Sequence, residues 1–413
     1  MKTLNSGGVV IHMHQNLDKI SFLAPQNPDF NSIVKLPPLQ PFSDEVISLL
    51  SQLSHEILKD KAAKSYPDVI TFAFWCRKAS LISMKGQYRS IDDRIGRGVI
   101  FHITPSNVPV NFAYSLAAGL LAGNVNVVRV PTKDYPQIDI ITNAIIRVFN
   151  DDKFKYMEKY VTLLRYEKDE KITTFLSELS DIRVIWGGDS AINEIRTSPL
   201  KARSFDVTFS DRYSICVINA KECINLLDTQ VIEGFYNDTF LFDQNACTAP
   251  HLIVWIGNCE QVLNAKKQFW EKLHSFTQQK YNLQPIQAID KLTSAYKTAT
   301  AIEIKWENFK DNLIVRGEIN RLVDGIENYH CHSGFFLEYT AQSLDEIKNI
   351  INNKYQTLSY LGLDPKEILE FVIKNGLRGI DRIVPIGKTT DFTLTWDGYD
   401  LIYTFSRKIF QYN

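Results

Sequence analysis

At 413 residues, with 45% hydrophobic and 23% charged residues, the chain has room for two or three domains and a sizeable core. Lys and Arg (46) nearly balance Asp and Glu (47), so the net charge of -1 gives no long-range field for nucleic acid or anionic lipid. Six cysteines, at 76, 216, 223, 247, 259 and 331, are scattered without a C-x-x-C pair, which speaks for reduced thiols and against both a disulfide framework and a metal centre.

Met1 to Asn16 carries one lysine and no sustained apolar stretch, unlike a secretory leader. The longest apolar region, Val108 to Gly123, is interrupted by Pro109, Asn111 and Ser115 and is too short to span a bilayer. A cytoplasmic protein without a membrane span is expected. Gly7-Gly8 and Pro37-Pro38 punctuate the first 40 residues, the pattern of a short hairpin and a linker. Ser43 followed by Asp44 and Glu45 reads as an N-cap, with Val46, Leu49, Leu50, Leu53 and Ile57 on one helical face. A second helix is expected from Pro67 to about Met84, and a strand over Gly86–Ile91.

From Gly98 the texture becomes strand, helix, strand, helix. Val99–Ile103 ends in the loop Thr104-Pro105-Ser106-Asn107-Val108-Pro109, and Asn111–Leu121 follows as an Ala/Leu-rich helix. Val125–Val130 ends at Pro131-Thr132-Lys133, before a helix over Ile138–Phe149. Strands are expected at Val161–Leu164, Ile182–Trp186, Phe205–Phe209 and Ile215–Ile218, with a helix over Lys171–Leu179. This alternation marks a parallel, doubly wound α/β sheet, whose ligands lie beyond the strand carboxyl ends. Gly187-Gly188, between a strand and a helix, lets backbone approach an anionic group, although no G-x-G-x-x-G occurs nearby. Later elements are expected at Gln261–Tyr281, Asp311–Arg316, Phe335–Tyr339 and Leu344–Asn352.

The chemistry centres on Gly234 to Pro250: an aromatic-rich run, the polar turn Asp243-Gln244-Asn245-Ala246, then Cys247 among small residues. A cysteine in such company is more often a packed small hydrophobe than a nucleophile. The ordered set I-T-P-S-N-V-P, A-G-N-x-x-V-V-R-V-P-T-K, W-G-G and D-Q-N-A-C-T, however, resembles the aldehyde dehydrogenase superfamily. S-N-V-P-x-N-F-A-Y-S, G-x-D-R-I-V-P-I-G and W-D-G-Y-D bring it closer to one branch, the long-chain acyl-CoA reductases of bacterial bioluminescence and their non-luminous relatives. The likeness covers roughly residues 85–405.

The resemblance implies an aldehyde-dehydrogenase-like fold. A mixed N-terminal segment (1–90) would pack on a Rossmann-type cofactor domain (91–220), followed by an α/β catalytic domain (221–385) and a C-terminal β segment (386–413) for homo-oligomerisation. It implies NADPH-dependent reduction of a long-chain acyl thioester to the aldehyde. Cys247 would attack as thiolate, and Asn107 and the Cys247 N–H would hold the oxyanion. Asn107 also reads as a loop asparagine satisfying its own turn. Thr104, Pro105, Arg129, Pro131, Thr132, Lys133, Gly187 and Gly188 take the cofactor-binding positions, and Lys133 in place of the usual acid points to a 2′-phosphate. Arg129 reads equally as a strand-end structural arginine. The family's cofactor lysine is replaced by Val130, and Glu338 lies out of register for its ribose glutamate. The glutamate base of hydrolytic members is replaced by Thr208, with Asp206 and Asp211 as nearby substitutes. Expected partners are acyl-CoA or an acyl-protein donor, with an acyl-protein synthetase. The competing functions are an aldehyde-oxidising dehydrogenase and a non-redox acyl carrier using Cys247.

Overall fold

The computed structural model describes residues 17–307 and 311–412; the Gly7-Gly8 turn lies outside them. The described chain divides into two compact units, one of residues up to 210 together with those from 400 onward, the other of residues 211–399.

The first unit is built on β1 (Ser21–Ala24), β2 (Arg94–Gly96), β3 (Val99–Ile103), β4 (Val125–Arg129), β5 (Val161–Arg165), β6 (Ile182–Trp186) and β7 (Phe205–Phe209). Its main sheet runs β1-β5-β4-β3-β6-β7, parallel except for the antiparallel edge strand β1. The chain winds outward through β4 and β5, then returns to β6 and β7, so the order reverses between β3 and β6. This is the Rossmann-type arrangement, with its ligand crevice expected at the carboxyl ends around that switch. Every residue of β3 and β6 is buried, as strands covered on both faces require. β2 pairs antiparallel with the strand Ser406–Lys408.

Several expectations shift. Ser43 is the N-cap of the helix Asp44–Lys59, but its hydroxyl makes no capping bond. The helix from Pro67 is two helices, Pro67–Trp75 and Lys78–Lys85, broken at Cys76-Arg77. Gly86–Ile91 is not a strand. Its alternation reflects Tyr88 packing between Phe42 and Tyr403, and Ser90 takes φ 56°, which interrupts extended backbone.

A buried polar network ties the helix Asn111–Leu121 to this sheet. The Trp186 indole donates to Ser115 Oγ (3.0 Å), and Ser115 lies 2.7 Å from His102 Nδ1. His102 Nε2 faces Asn126 Oδ1 at 3.0 Å, and Asn126 Nδ2 donates to Asn124 O. The indole occupies one side of the Ser115 oxygen, so its hydroxyl donates to Nδ1 and the imidazole proton sits on Nε2. A Cβ on Gly119 would overlap Asn126 Oδ1, so this glycine is required by close approach. Burial lowers the His102 pKa to about 4, against an ordinary value of 6.5. Above pH 6.5 both states are neutral and stability is full. As pH falls toward 4 only the unfolded chain takes the proton, and roughly 1.4 kcal/mol is lost per pH unit. Unfolding at pH 7 and pH 5 is expected to differ by about 2 kcal/mol from this residue. His102→Gln is expected to lose less on acidification.

The second unit carries β8 (Tyr213–Asn219), β9 (Pro250–Ile256), β10 (Ile304–Trp306), β11 (Val315–Ile319), β12 (Phe335–Ala341), β13 (Tyr355–Leu361) and β14 (Arg382–Pro385). The order is β10-β11-β12-β9-β8-β13-β14, parallel apart from β10. Alternation sorts the core. Ile215, Val217, Leu252 and Val254 enter one apolar cluster, and Cys216, Ile218, Ile253 and Trp255 the other. The helices Ala220–Leu226, Thr229–Thr239 and Cys259–Lys280 supply residues to the second cluster. Leu344–Asn352 is only a single 3₁₀ turn, Leu344–Ile347. Among the described residues no helix is long and apolar enough to cross a membrane.

Candidate active site

Cys247 lies between the helix Thr229–Thr239 and β9, at the amino ends of the parallel strands of the second unit. The turn before it is held by Gln244, which is 1% exposed. Its Nε2 donates to Pro250 O (2.9 Å) and Phe335 O (3.1 Å), while Oε1 accepts from the N–H groups of Gly334 (2.9 Å) and Phe335 (3.0 Å). Asp243 and Gln244 both sit at positive φ, 51° and 59°. For non-glycine residues that conformation costs about 1 kcal/mol each and persists only where the surroundings over-determine it. The Tyr281 hydroxyl on Asp243 Oδ1 and Ser333 N–H on Asp243 O complete the hold. Asp243-Gln244-Asn245 is thus the turn that presents the sulfur.

Two segments flagged only as sequence likenesses converge here. Gly234, in the helix, approaches Gly387 so closely that a Cβ on it would lie 2.9 Å from Gly387 Cα. Asp238 accepts from the N–H groups of Gly387 (2.6 Å) and Thr389 (3.0 Å). Burial, only partly offset by these bonds, pushes its carboxyl up to about 7. The Arg382 guanidinium lies 4.3 Å from the Trp396 ring centre and donates to Thr389 O and Asp391 O.

The Cys247 carbonyl accepts from Ser214 Oγ (2.7 Å), itself an acceptor for Thr357 N–H (3.2 Å). Gln356 Nε2 donates to Cys247 Sγ at 3.5 Å and to Asp397 Oδ1. Among the described residues the Cys247 N–H has no hydrogen-bond partner. Burial, then the Asp397 charge, push the thiol up to about 12, opposed by the Gln356 bond and by Arg382 and Arg212. Part of Cys247 still reaches solvent, so water moderates that rise. Sequence reasoning missed Gln356, and marked Asp397 only as part of the W-D-G-Y-D likeness.

His251 is not a base for this sulfur. It is buried on Tyr213 with ring centres 5.5 Å apart, and burial holds its pKa well below the usual value. His330 lies against Glu327 O (2.6 Å) and His332 against Ser333 Oγ (3.0 Å). Glu338 is buried and accepts from the indoles of Trp255 (2.9 Å) and Trp270 (2.7 Å) and from Arg316 (3.2 Å). It is a structural carboxylate.

The cofactor candidates of the first unit gather on one edge. Thr104 and Pro105 follow β3, Val130-Pro131-Thr132-Lys133 follows β4, and Gly187-Gly188 follows β6, all at carboxyl ends. Thr104 Oγ1 donates to Arg129 O (2.8 Å), and the Tyr135 hydroxyl to Ser106 O (2.8 Å), joining the first two loops. Asn107 is exposed. So is Lys133, whose Nζ lies 5.0 Å from the Tyr135 ring centre. A Cβ on Gly187 would meet only Ala191 Cβ, at an ordinary 3.6 Å. Arg129 is held along this edge by the residue that follows β5: its guanidinium donates to Tyr166 O (3.3 and 3.1 Å) and covers the Tyr166 ring, a structural contact. Asp206 forms a two-pronged pair with Arg183 (2.7 and 3.1 Å), which removes it as a substitute base.

The sequence profile described as "Acyl-CoA reductase (LuxC)" matches residues 26–408. The chain belongs to the LuxC acyl-CoA reductase family. This LuxC-family chain is 22% identical over 301 residues to the long-chain acyl-protein thioester reductase of Aliivibrio fischeri, covering 72% of itself and 60% of that relative. With the corresponding protein of Photorhabdus laumondii it shares 23% over 318 residues, covering 72% and 59%. It therefore spans about 60% of the length of the curated relatives it matches. Among solved structures it resembles aldehyde dehydrogenase 21 of Physcomitrella patens (TM-score 0.62, 11% identity, 92% and 88% of the two chains). It also resembles an NAD-dependent benzaldehyde dehydrogenase of Corynebacterium glutamicum (TM-score 0.59, 12% identity, 95% and 94%). The fold is that of the aldehyde dehydrogenase superfamily.

Proposed function

We propose that this protein reduces a long-chain fatty acyl thioester to the aldehyde, using NADPH, through an acyl-enzyme on Cys247. The observation that carries this reading is the placement of Cys247: on a turn locked by a buried glutamine, partly exposed, with an amide donor at its sulfur. In acyl transfer the thiol loses its proton to solvent. The sulfur then bonds to the acyl carbon as the carrier's C–S bond breaks, and the carrier thiolate takes up a proton. When bound, the reduced nicotinamide supplies a hydride. In the last step the S–C bond of the hemithioacetal breaks, its hydroxyl proton leaves, and the electron pair returns to Cys247. The unpartnered Cys247 N–H suits it to hold the oxyanion. For Asn107 that role rests on the resemblance.

The first unit would hold the nicotinamide cofactor. Gly187 fits a close approach of phosphate, since packing within the chain leaves room there. Lys133 pairs with no carboxylate among the described residues and suits a 2′-phosphate. Lys133→Ala is expected to raise KM for NADPH about tenfold while leaving that for NADH unchanged, as steady-state kinetics with the two cofactors would show.

The test is direct. Protein, NADPH and a panel of acyl-CoA and acyl-protein donors of varied chain length are mixed, and nicotinamide absorbance is followed. Consumption of NADPH with aldehyde formation is expected. If no donor causes consumption while Cys247 becomes acylated, the protein is an acyl carrier instead. Preferential oxidation of aldehydes to acids would make it a dehydrogenase, a reading weakened by Thr208 and by the Asp206–Arg183 pair.

A further inference from the structure

Gln356 is the second residue of β13, and its side chain is fully buried and wholly committed to polar contacts. Its Nε2 carries two hydrogens. One meets Asp397 Oδ1 and the other points at Cys247 Sγ, 3.5 Å away. The amide cannot be turned around without loss. The Asp397 carboxylate only accepts, and on the other side the Thr357 hydroxyl donates to Gln356 Oε1 at 3.3 Å. Asp397 is itself fixed: it is buried, and with Gly398 it forms the centre of a tight turn at φ 48° and 75°.

We propose that Gln356 is a catalytic residue of the acyl-transfer site, its amide, oriented by Asp397, donating to the Cys247 sulfur whenever that sulfur carries negative charge. The proposal rests on the reading of Cys247 as nucleophile. Sulfur is charged twice in the cycle, as the attacking thiolate and as the leaving group of the hemithioacetal. A neutral amide stabilises it both times without itself exchanging a proton. It also stands between the sulfur and the Asp397 carboxylate, whose charge opposes the thiolate. The other charged groups facing the sulfur are Arg382 and Arg212, both favouring the thiolate. Arg212 is also engaged with Asp381.

The two members of the pair therefore act on the thiol with opposite sign, which a merely structural role would not produce. Alkylation of Cys247 by iodoacetamide is followed from pH 6 to 10 without acyl donor or nicotinamide, with peptide mass separating Cys247 from the exposed Cys259. Gln356→Met, which keeps the volume but loses the donor, is expected to slow Cys247 alkylation about tenfold at each pH, a profile shifted up by about one unit. Asp397→Asn, which keeps an acceptor oxygen and removes the charge, is expected to speed it. If Gln356→Met does not fold, Gln356→Asn, whose shorter amide falls short of the sulfur, takes its place with the same expected direction. An unchanged profile in the folded Gln356 variant, or slowing in Asp397→Asn, overturns the proposal. Because this readout uses no acyl donor, its failure leaves the acyl-enzyme reading standing. Acylation that survives in Cys247→Ala would remove that reading and leave the hydrogen bond.

Discussion

Cys247→Ala is expected to abolish acyl transfer, with the rate of NADPH-dependent acyl reduction falling at least about a thousandfold, a loss of roughly 4 kcal/mol in transition-state stabilisation. The other thiols cannot take over. Cys76, Cys216, Cys223 and Cys331 are buried, whereas part of Cys247 reaches solvent, so an acyl donor has access to Cys247 and not to them. Cys259 is exposed, but it opens the helix Cys259–Lys280 at the other end of β9 from Cys247. Incubation with radiolabelled acyl-CoA should place one acyl group on the wild-type protein and none on Cys247→Ala, while Cys259→Ala keeps full labelling. Undiminished labelling of Cys247→Ala would end the acyl-enzyme mechanism. The pH dependence follows from the same environment. With the thiol pushed up to about 12, the thiolate fraction grows about tenfold per pH unit, so acylation without nicotinamide should climb from pH 6 to 9 without a plateau.

What the sequence made legible follows a physical boundary. The strands between 99 and 218 could be read because most are buried on both faces and largely apolar, with helices of period 3.6 between them; the edge strand β7 is only partly buried. β3, β6 and β7 fall at the expected residues, and β4, β5 and β8 within a few. Legibility failed where a local pattern had a non-local cause. Gly86–Ile91 alternates because Tyr88 packs on rings supplied by distant segments, and Leu344–Asn352 closes after a single turn. The site divides in the same way. Cys247 and its turn are contiguous, so the motif exposed them. Gln356 lies 109 residues further on and meets Asp397 across another 41, so nothing local announced either. Their only signals were a glutamine near the start of a buried strand and the W-D-G-Y-D motif, which likeness had marked without assigning a chemical role.

Gln244→Ala is expected to be among the most destabilising substitutions in the second unit, although no part of Gln244 touches the sulfur. Its amide closes four hydrogen bonds inside a sealed site, so truncation strands the N–H groups of Gly334 and Phe335 and the carbonyls of Pro250 and Phe335. Unpaired buried backbone groups cost about 1–3 kcal/mol each before relaxation, and a cavity is added. A net loss of about 3–4 kcal/mol follows, seen in the thermal transition of this unit as a fall of roughly 6–15 °C. Gln244→Glu separates hydrogen bonding from volume. The ionised carboxylate still accepts from Gly334 and Phe335 but cannot donate to Pro250 O or Phe335 O. Burial among carbonyls raises its pKa, so lowering the pH protonates it in the folded state and restores one donor. The deficit of Gln244→Glu relative to wild type should therefore shrink between pH 8 and pH 5, while that of Gln244→Ala stays constant. A pH-independent Gln244→Glu deficit would mean that the turn is held by shape alone. In both variants position 244 loses bonds that over-determine its positive φ and relaxes from it, while Asp243 keeps its contacts to Tyr281 and Ser333. Cys247, three residues on, then loses its fixed approach to Gln356, and acylation should slow even at temperatures where the fold persists.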